Sequence, residues 1–181
     1  MTNILQKIDE IIKRKFKISA EGGAYCLKEN NEPKYPVTTI KQKGKILLYS
    51  FDMKDSNKAV FPIFNASISG LTSIADYLIF YPKNDTLFVF VCNLKSTNIS
   101  NANKQAEASW QLSEYIVKTT QRMLNFQDIK VEYRSILFCQ NNTSRFTSNS
   151  KSMTYDILGN SNLKNIRLEA GEDCYLDNFC V

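Results

Sequence analysis

Residues 75–96 read ADYLIFYPKNDTLFVFVCNLKS. Two near-continuous apolar runs, IADYLIFY and TLFVFVCNLKS, flank the turn-forming PKND. This pattern predicts an antiparallel hairpin whose strands are central and covered on both faces. A turn centred near Asn84-Asp85 sets Asp76 opposite Asn93, and cross-strand partners share a face of the sheet. Strand alternation then places Asn93 and Lys95 on that face and turns Leu94 into the opposite layer. One end of the sheet thereby collects a carboxylate, a side-chain amide and a lysine. A one-residue slip in register would scatter them.

Outward from the hairpin, the segment from Asn3 to Phe16 spaces Ile4, Leu5, Ile8, Ile11 and Ile12 as one face of an amphipathic helix, capped by Thr2 or Asn3 and closed before Gly22-Gly23. VTTIKQ and KILLYSFD have strand composition, with Lys43-Gly44 suited to a tight turn between them. AVFPIFNAS reads as a strand weakened by Pro62 or as an irregular apolar segment. Asn101 to Leu124 is the longest helical pattern, with Ala102, Ala106, Trp110, Ile116, Val117, Met123 and Leu124 on its apolar face. VEYRSILFCQ reads as another buried strand and NNTSRFTSNSKS as a polar loop, and the tail from Asn165 has room for one short last strand. The order helix, three or four strands, helix, strand predicts one α/β domain over residues 1–181 with a mixed sheet.

Composition removes several chemistries. The chain holds no histidine, which excludes Ser-His-Asp and Cys-His catalysis and nearly excludes the usual zinc sites. Its five cysteines are scattered, with no CxxC pair, and read as reduced thiols of a cytoplasmic protein. No apolar run is long enough to span a bilayer, and the N-terminal MTNILQKIDEIIKRKFK mixes charges into its apolar residues, unlike a secretory signal. A net charge of +5 is compatible with a polyanionic partner such as nucleic acid, and equally with a lysine-rich solvated surface.

Asp76, Asn93 and Lys95 suit one chemistry that needs no histidine. A carboxylate and a second oxygen ligand, with a backbone carbonyl, hold a hard divalent cation. Such a cation activates water and offsets charge on a phosphate, and a lysine assists at the same phosphate. In its element order, its IAD at Asp76 and its CNLK ending at Lys95, the sequence resembles the PD-(D/E)XK nuclease superfamily, the restriction-endonuclease-like fold. The resemblance implies a restriction-endonuclease-like core of helix, three strands, helix and strand around a mixed central sheet. It also implies Mg²⁺ or Mn²⁺ held by Asp76, Asn93 and the Leu94 carbonyl, with Lys95 activating water. Gln105, or Gln111 with Tyr115, takes the supporting glutamine position on the second helix, and Glu21 is the nearest candidate for an added glutamate. Asn93 stands where that family carries glutamate, and this removes one negative charge from the site.

The expected function is therefore hydrolysis of DNA phosphodiester bonds by a metal-dependent endonuclease, in restriction, repair or anti-phage defence. The alternative is a catalytically inactive nuclease-fold subunit that binds nucleic acid or a partner protein. One site per chain would make a homodimer convenient for cutting two strands. The simpler readings are a turn-capping aspartate for Asp76, an edge lysine for Lys95 and a core tryptophan for Trp110. For Lys104, Lys118 and Arg122 the simpler reading is a solvated helix face, against a phosphate-facing one.

Overall fold

The computed structural model describes residues 2–29, 32–51, 61, 63–65, 67–96, 99–123, 129–140, 155–158, 161 and 163–181. In chain order these form α1 (Thr2–Ile11), β1 (Lys17–Ile18), β2 (Tyr25–Leu27), β3 (Thr38–Lys41), β4 (Leu47–Tyr49), β5 (Tyr77–Lys83), β6 (Thr86–Lys95), α2 (Ala102–Met123), β7 (Lys130–Cys139), β8 (Asp156–Ile157), β9 (Lys164–Glu169) and β10 (Cys174–Tyr175). Short 3-10 turns follow α1 at Arg14–Phe16 and β10 at Leu176–Phe179. Among the described residues the result is a mixed α/β fold with a seven-stranded sheet, in the order β1-β4-β5-β6-β7-β9-β8, and a three-stranded sheet, β10-β3-β2.

The hairpin expected from residues 75–96 is the centre of the large sheet. β5 pairs antiparallel with β6 from Tyr77 opposite Cys92 to Lys83 opposite Thr86, leaving Asn84-Asp85 as the loop. Asn84 has a φ of 52°, a conformation that asparagine tolerates better than most residues. β4 continues the antiparallel set on one side, while β7 and β9 run parallel to β6 on the other. α2 supplies the crossover from β6 to β7 that a parallel pair requires.

Alternation along the hairpin divides the core in two. Leu78, Phe80, Leu87, Val89 and Val91 cluster with Ile4, Leu5 and Ile8 of α1 and Ala106, Ile116 and Val117 of α2. Ile79, Tyr81, Phe88, Phe90, Cys92 and Leu94 cluster with Leu27 and Ile40 of the small sheet and with Leu176 and Phe179 near the C-terminus. The large sheet is thus covered on both faces, and for this reason its central strands read as apolar runs and not as alternating ones.

Several elements differ from the sequence expectation. The first helix stops at Ile11, with Lys13 already extended, because Phe16 and Lys17 turn back toward the sheet. VTTIKQ and KILLYSFD both contain strands, yet β3 belongs to the small sheet and β4 to the large one. The chain between them crosses from layer to layer, and a Cβ at Gly44 would meet the Tyr81 ring at 3.3 Å. The tail holds β9 and β10 where one strand was expected. Parts of AVFPIFNAS, Leu124 and the NNTSRFTSNSKS loop lie outside the described residues, although Phe61 and Ile63–Asn65 are described and are not in a strand.

Two polar clusters brace this core. Asp9 on α1 accepts hydrogen bonds from the Tyr49 hydroxyl of β4, at 2.8 Å, and from Lys17 of β1. Arg134 of β7, 2% exposed, lies 5.7 Å from the Phe88 and Tyr155 ring centres. Its guanidinium donates to Glu132 at 3.0 Å, to the Tyr133 carbonyl and to the Val181 carbonyl.

The Asp9 cluster has a definite pH signature. Burial pushes the Asp9 carboxyl up, but the Lys17 and Tyr49 hydrogen bonds and the Lys17 and Arg14 charges outweigh this and hold it below its ordinary value of 3.8. A carboxyl whose folded value is depressed stabilises the fold fully above the unfolded value and loses that contribution as pH falls through the folded one. In urea titrations the stability advantage of the natural protein over Asp9→Asn should be constant from neutral pH to about pH 5 and shrink below that. A difference that grows on acidification would contradict the assignment.

Candidate functional site

The end of the hairpin away from the turn carries the residues singled out by sequence. The strand register continued by one step sets Asp76 opposite Asn93, as expected. Asp76 does not simply extend β5. Its Oδ2 accepts a 2.6 Å hydrogen bond from the Leu94 amide, so the carboxylate takes the place of a main-chain acceptor at the strand end. Leu94 packs into the small-sheet layer, as alternation requires.

Asn93 is 1% exposed and faces the helix layer. Its Nδ2 donates to the Ala102 carbonyl in the first turn of α2, at 3.3 Å, which fixes the amide plane. Its Oδ1 is buried and has no hydrogen-bond partner among the described residues. Gln105, one turn further along α2, is half-buried, and its Oε1 is likewise a buried acceptor without a partner. Two buried amide oxygens at one strand end are unusual, because a buried acceptor left unmatched costs about 1–3 kcal/mol. Lys95 follows on the same face of β6 as Asn93, half-buried, and its main-chain carbonyl accepts from the amide of Gln140, the residue just past β7.

The structure therefore brings Asp76, Asn93, Lys95 and Gln105 to one end of the sheet, beneath the start of α2. Glu21 is placed otherwise: it sits in the exposed turn between β1 and β2 and pairs with Lys28 at 2.7 Å, its side chain 70% exposed. Gln111 and Tyr115 lie on the outer face of α2, both exposed, so Gln105 is the glutamine at the strand ends. Trp110 packs edge-on against Tyr133, in keeping with its core reading, and Lys104, Lys118 and Arg122 are exposed.

Three supporting contacts were not anticipated from sequence. Ser109 of α2 accepts a 2.7 Å hydrogen bond from the Ala75 amide and so positions the residue before Asp76. The Tyr77 hydroxyl donates to the Lys28 carbonyl at 2.7 Å and accepts from the Lys28 amide at 3.0 Å, tying the end of β2 to the base of β5. Burial raises the Tyr77 phenol; the Lys28 main chain opposes this, and the Asp76 and Glu29 charges add to it, which brings Glu29 into the electrostatics of this end of the sheet. The signal for Ser109 was present in the sequence. Ala102, Ala106, Ser109 and Ser113 form a stripe of small residues that lets α2 approach the strands closely.

Chemically, the arrangement offers one carboxylate, two unmatched amide oxygens and one ammonium group. Among the described residues no group of three or more His, Cys, Asp or Glu side chains is placed to hold a metal ion. A cation held here would rely on amide oxygens for much of its coordination. Comparison with protein-family models, with curated proteins and with solved structures finds no match.

The support for Asp76 can be tested through stability. Ser109→Ala leaves the buried Ala75 amide without its acceptor and should lower the unfolding free energy by ~1–3 kcal/mol in chemical denaturation. An unchanged midpoint would show that Ser109 does not brace the strand end.

Proposed function

We propose that this protein is a metal-dependent nuclease that hydrolyses DNA phosphodiester bonds, with Asp76, Asn93, Lys95 and Gln105 as its working residues. The observation that carries the reading is the buried, unmatched Oδ1 of Asn93 beside Asp76. Hard divalent cations prefer oxygen ligands, and an acceptor oxygen fixed in place without a donor fits such a cation. The order α1, then β4, β5 and β6, then α2 and β7 supports a restriction-endonuclease-like core, and the parallel pairing of β6 with β7 agrees with it.

Mg²⁺ or Mn²⁺ would be held by Asp76, Asn93 and the Leu94 carbonyl, and when bound it supplies an activated water and charge stabilisation at the phosphate. The chain's own contributions are positional. The Leu94 amide and the Ala102 carbonyl hold Asp76 and Asn93 at the strand end, so neither side chain has to reorganise. Lys95 brings a positive charge to the same face, where it orients water or offsets phosphate charge. Gln105 lends a second amide oxygen from α2. Glu21, engaged by Lys28 at an exposed turn, contributes least to this reading.

A second reading is favoured by one observation: among the described residues no group of three or more His, Cys, Asp or Glu side chains is placed to hold a metal ion, and few carboxylates mean weak binding of a divalent cation. In that reading the chain is a non-catalytic nuclease-fold subunit acting on nucleic acid or a partner protein, and restriction or defence would be the work of a complex.

Plasmid and single-stranded DNA incubated with Mg²⁺ or Mn²⁺ separate the two. The natural protein is expected to cut, Lys95→Ala to lose ~100-fold or more in rate, and Asp76→Asn to be inactive, all with unchanged thermal midpoints. Cleavage by Asn93→Glu alone would instead identify a fold whose chemistry has been switched off.

A further inference from the structure

The large sheet ends on one side in an incomplete strand. β1 pairs only with Leu48 and Tyr49 of β4, although β4 begins at Leu47. Leu47 and the residues before it, Lys45 and Ile46, therefore have no neighbouring strand on that edge. Lys45 and Ile46 belong to no strand ladder among the described residues. This open edge is the floor of a cleft of about 1090 Å³, walled by Gln6 and Asp9 of α1 on one side and by Tyr25 and Gln42 on the other. Asn84 of the β5–β6 turn also lines it, so the cleft lies at the opposite end of the hairpin from Asp76 and Asn93.

We propose that this cleft binds an extended acidic peptide segment of a partner protein, which adds to β4 as an edge strand. The setting matches strand addition. The floor presents an unpaired sheet edge, and the walls are the two layers that flank the sheet, so alternate side chains of an added strand would meet α1 on one side and the small sheet on the other. Charge sets the class of peptide. Lys17 is offset by Asp9, whereas Lys45 is exposed and has no ion pair among the described residues. The same lysine disfavours a second copy of this chain, since two-fold edge pairing would bring like charges together. The inference is independent of the nuclease reading.

The probe is a random decapeptide library selected on the full chain, with enriched peptides synthesised and mapped by amide shift changes in NMR. The expected result is enrichment of peptides that alternate apolar and acidic residues and shift the amides of Lys45, Ile46 and Leu47. Lys45→Glu should weaken these peptides at least tenfold and select basic ones in their place, while far-UV circular dichroism stays unchanged. Failure to enrich any peptide, or shifts confined to other surfaces, would overturn the proposal. So would stronger perturbation of the same amides by a thymidine dodecamer, or their concentration-dependent shift in the protein alone.

Discussion

The register of β5 against β6 is the constraint on which the rest of the molecule depends. Asn84-Asp85 closes the turn, seven residue pairs follow, and the next step places Asp76 across from Asn93. Because side chains alternate, this one register decides which apolar residues face the helices and which face the small sheet. It also decides that Leu94, and not its neighbours, offers its amide to Asp76. Moving β6 by one residue would bury Lys95 in the small-sheet layer and turn the Leu94 side chain toward α2.

What surrounds the strand end explains why polar groups persist there. α2 lies close because its inner face is small, and the closeness lets Asn93 reach the Ala102 carbonyl and Ser109 reach the Ala75 amide. The Ala102 contact satisfies the Asn93 Nδ2 and leaves its Oδ1 unmatched in a buried setting, and Gln105 Oε1 is likewise buried and unmatched. An apolar residue at position 93 would remove that cost without disturbing the strand. The unmatched Asn93 oxygen is the feature on which the proposed cation site rests.

The hairpin, its turn and the long helix were legible in the sequence because each is local: an apolar run, a turn dipeptide, a helical period. The Asp76, Asn93 and Lys95 grouping was legible for the same reason, being one register applied to one hairpin. The division of β3 and β4 between two sheets was not, since both have the same strand composition and only tertiary packing separates them. The small sheet joins Tyr25–Leu27 to Cys174–Tyr175 through β3, a pairing across nearly the whole chain that no local pattern encodes. Arg134 lies within VEYRSILFCQ, a stretch whose composition indicates a buried strand, and only the fold sets its guanidinium against the Phe88 and Tyr155 rings. Gln105 and Gln111 were equivalent as sequence and are distinguished by which face of α2 meets the strands.

In the proposed function Asp76 and the Asn93 amide oxygen form an oxygen-ligand site for a divalent cation. Anomalous diffraction from crystals soaked in Mn²⁺ tests it most directly, because it locates the ion whether or not cleavage occurs. A peak within ligand distance of the Asp76 carboxylate and Asn93 Oδ1 is expected, and none in Asp76→Asn crystals. Saturating Mn²⁺ that leaves this position empty, or that binds only elsewhere on the surface, would contradict it.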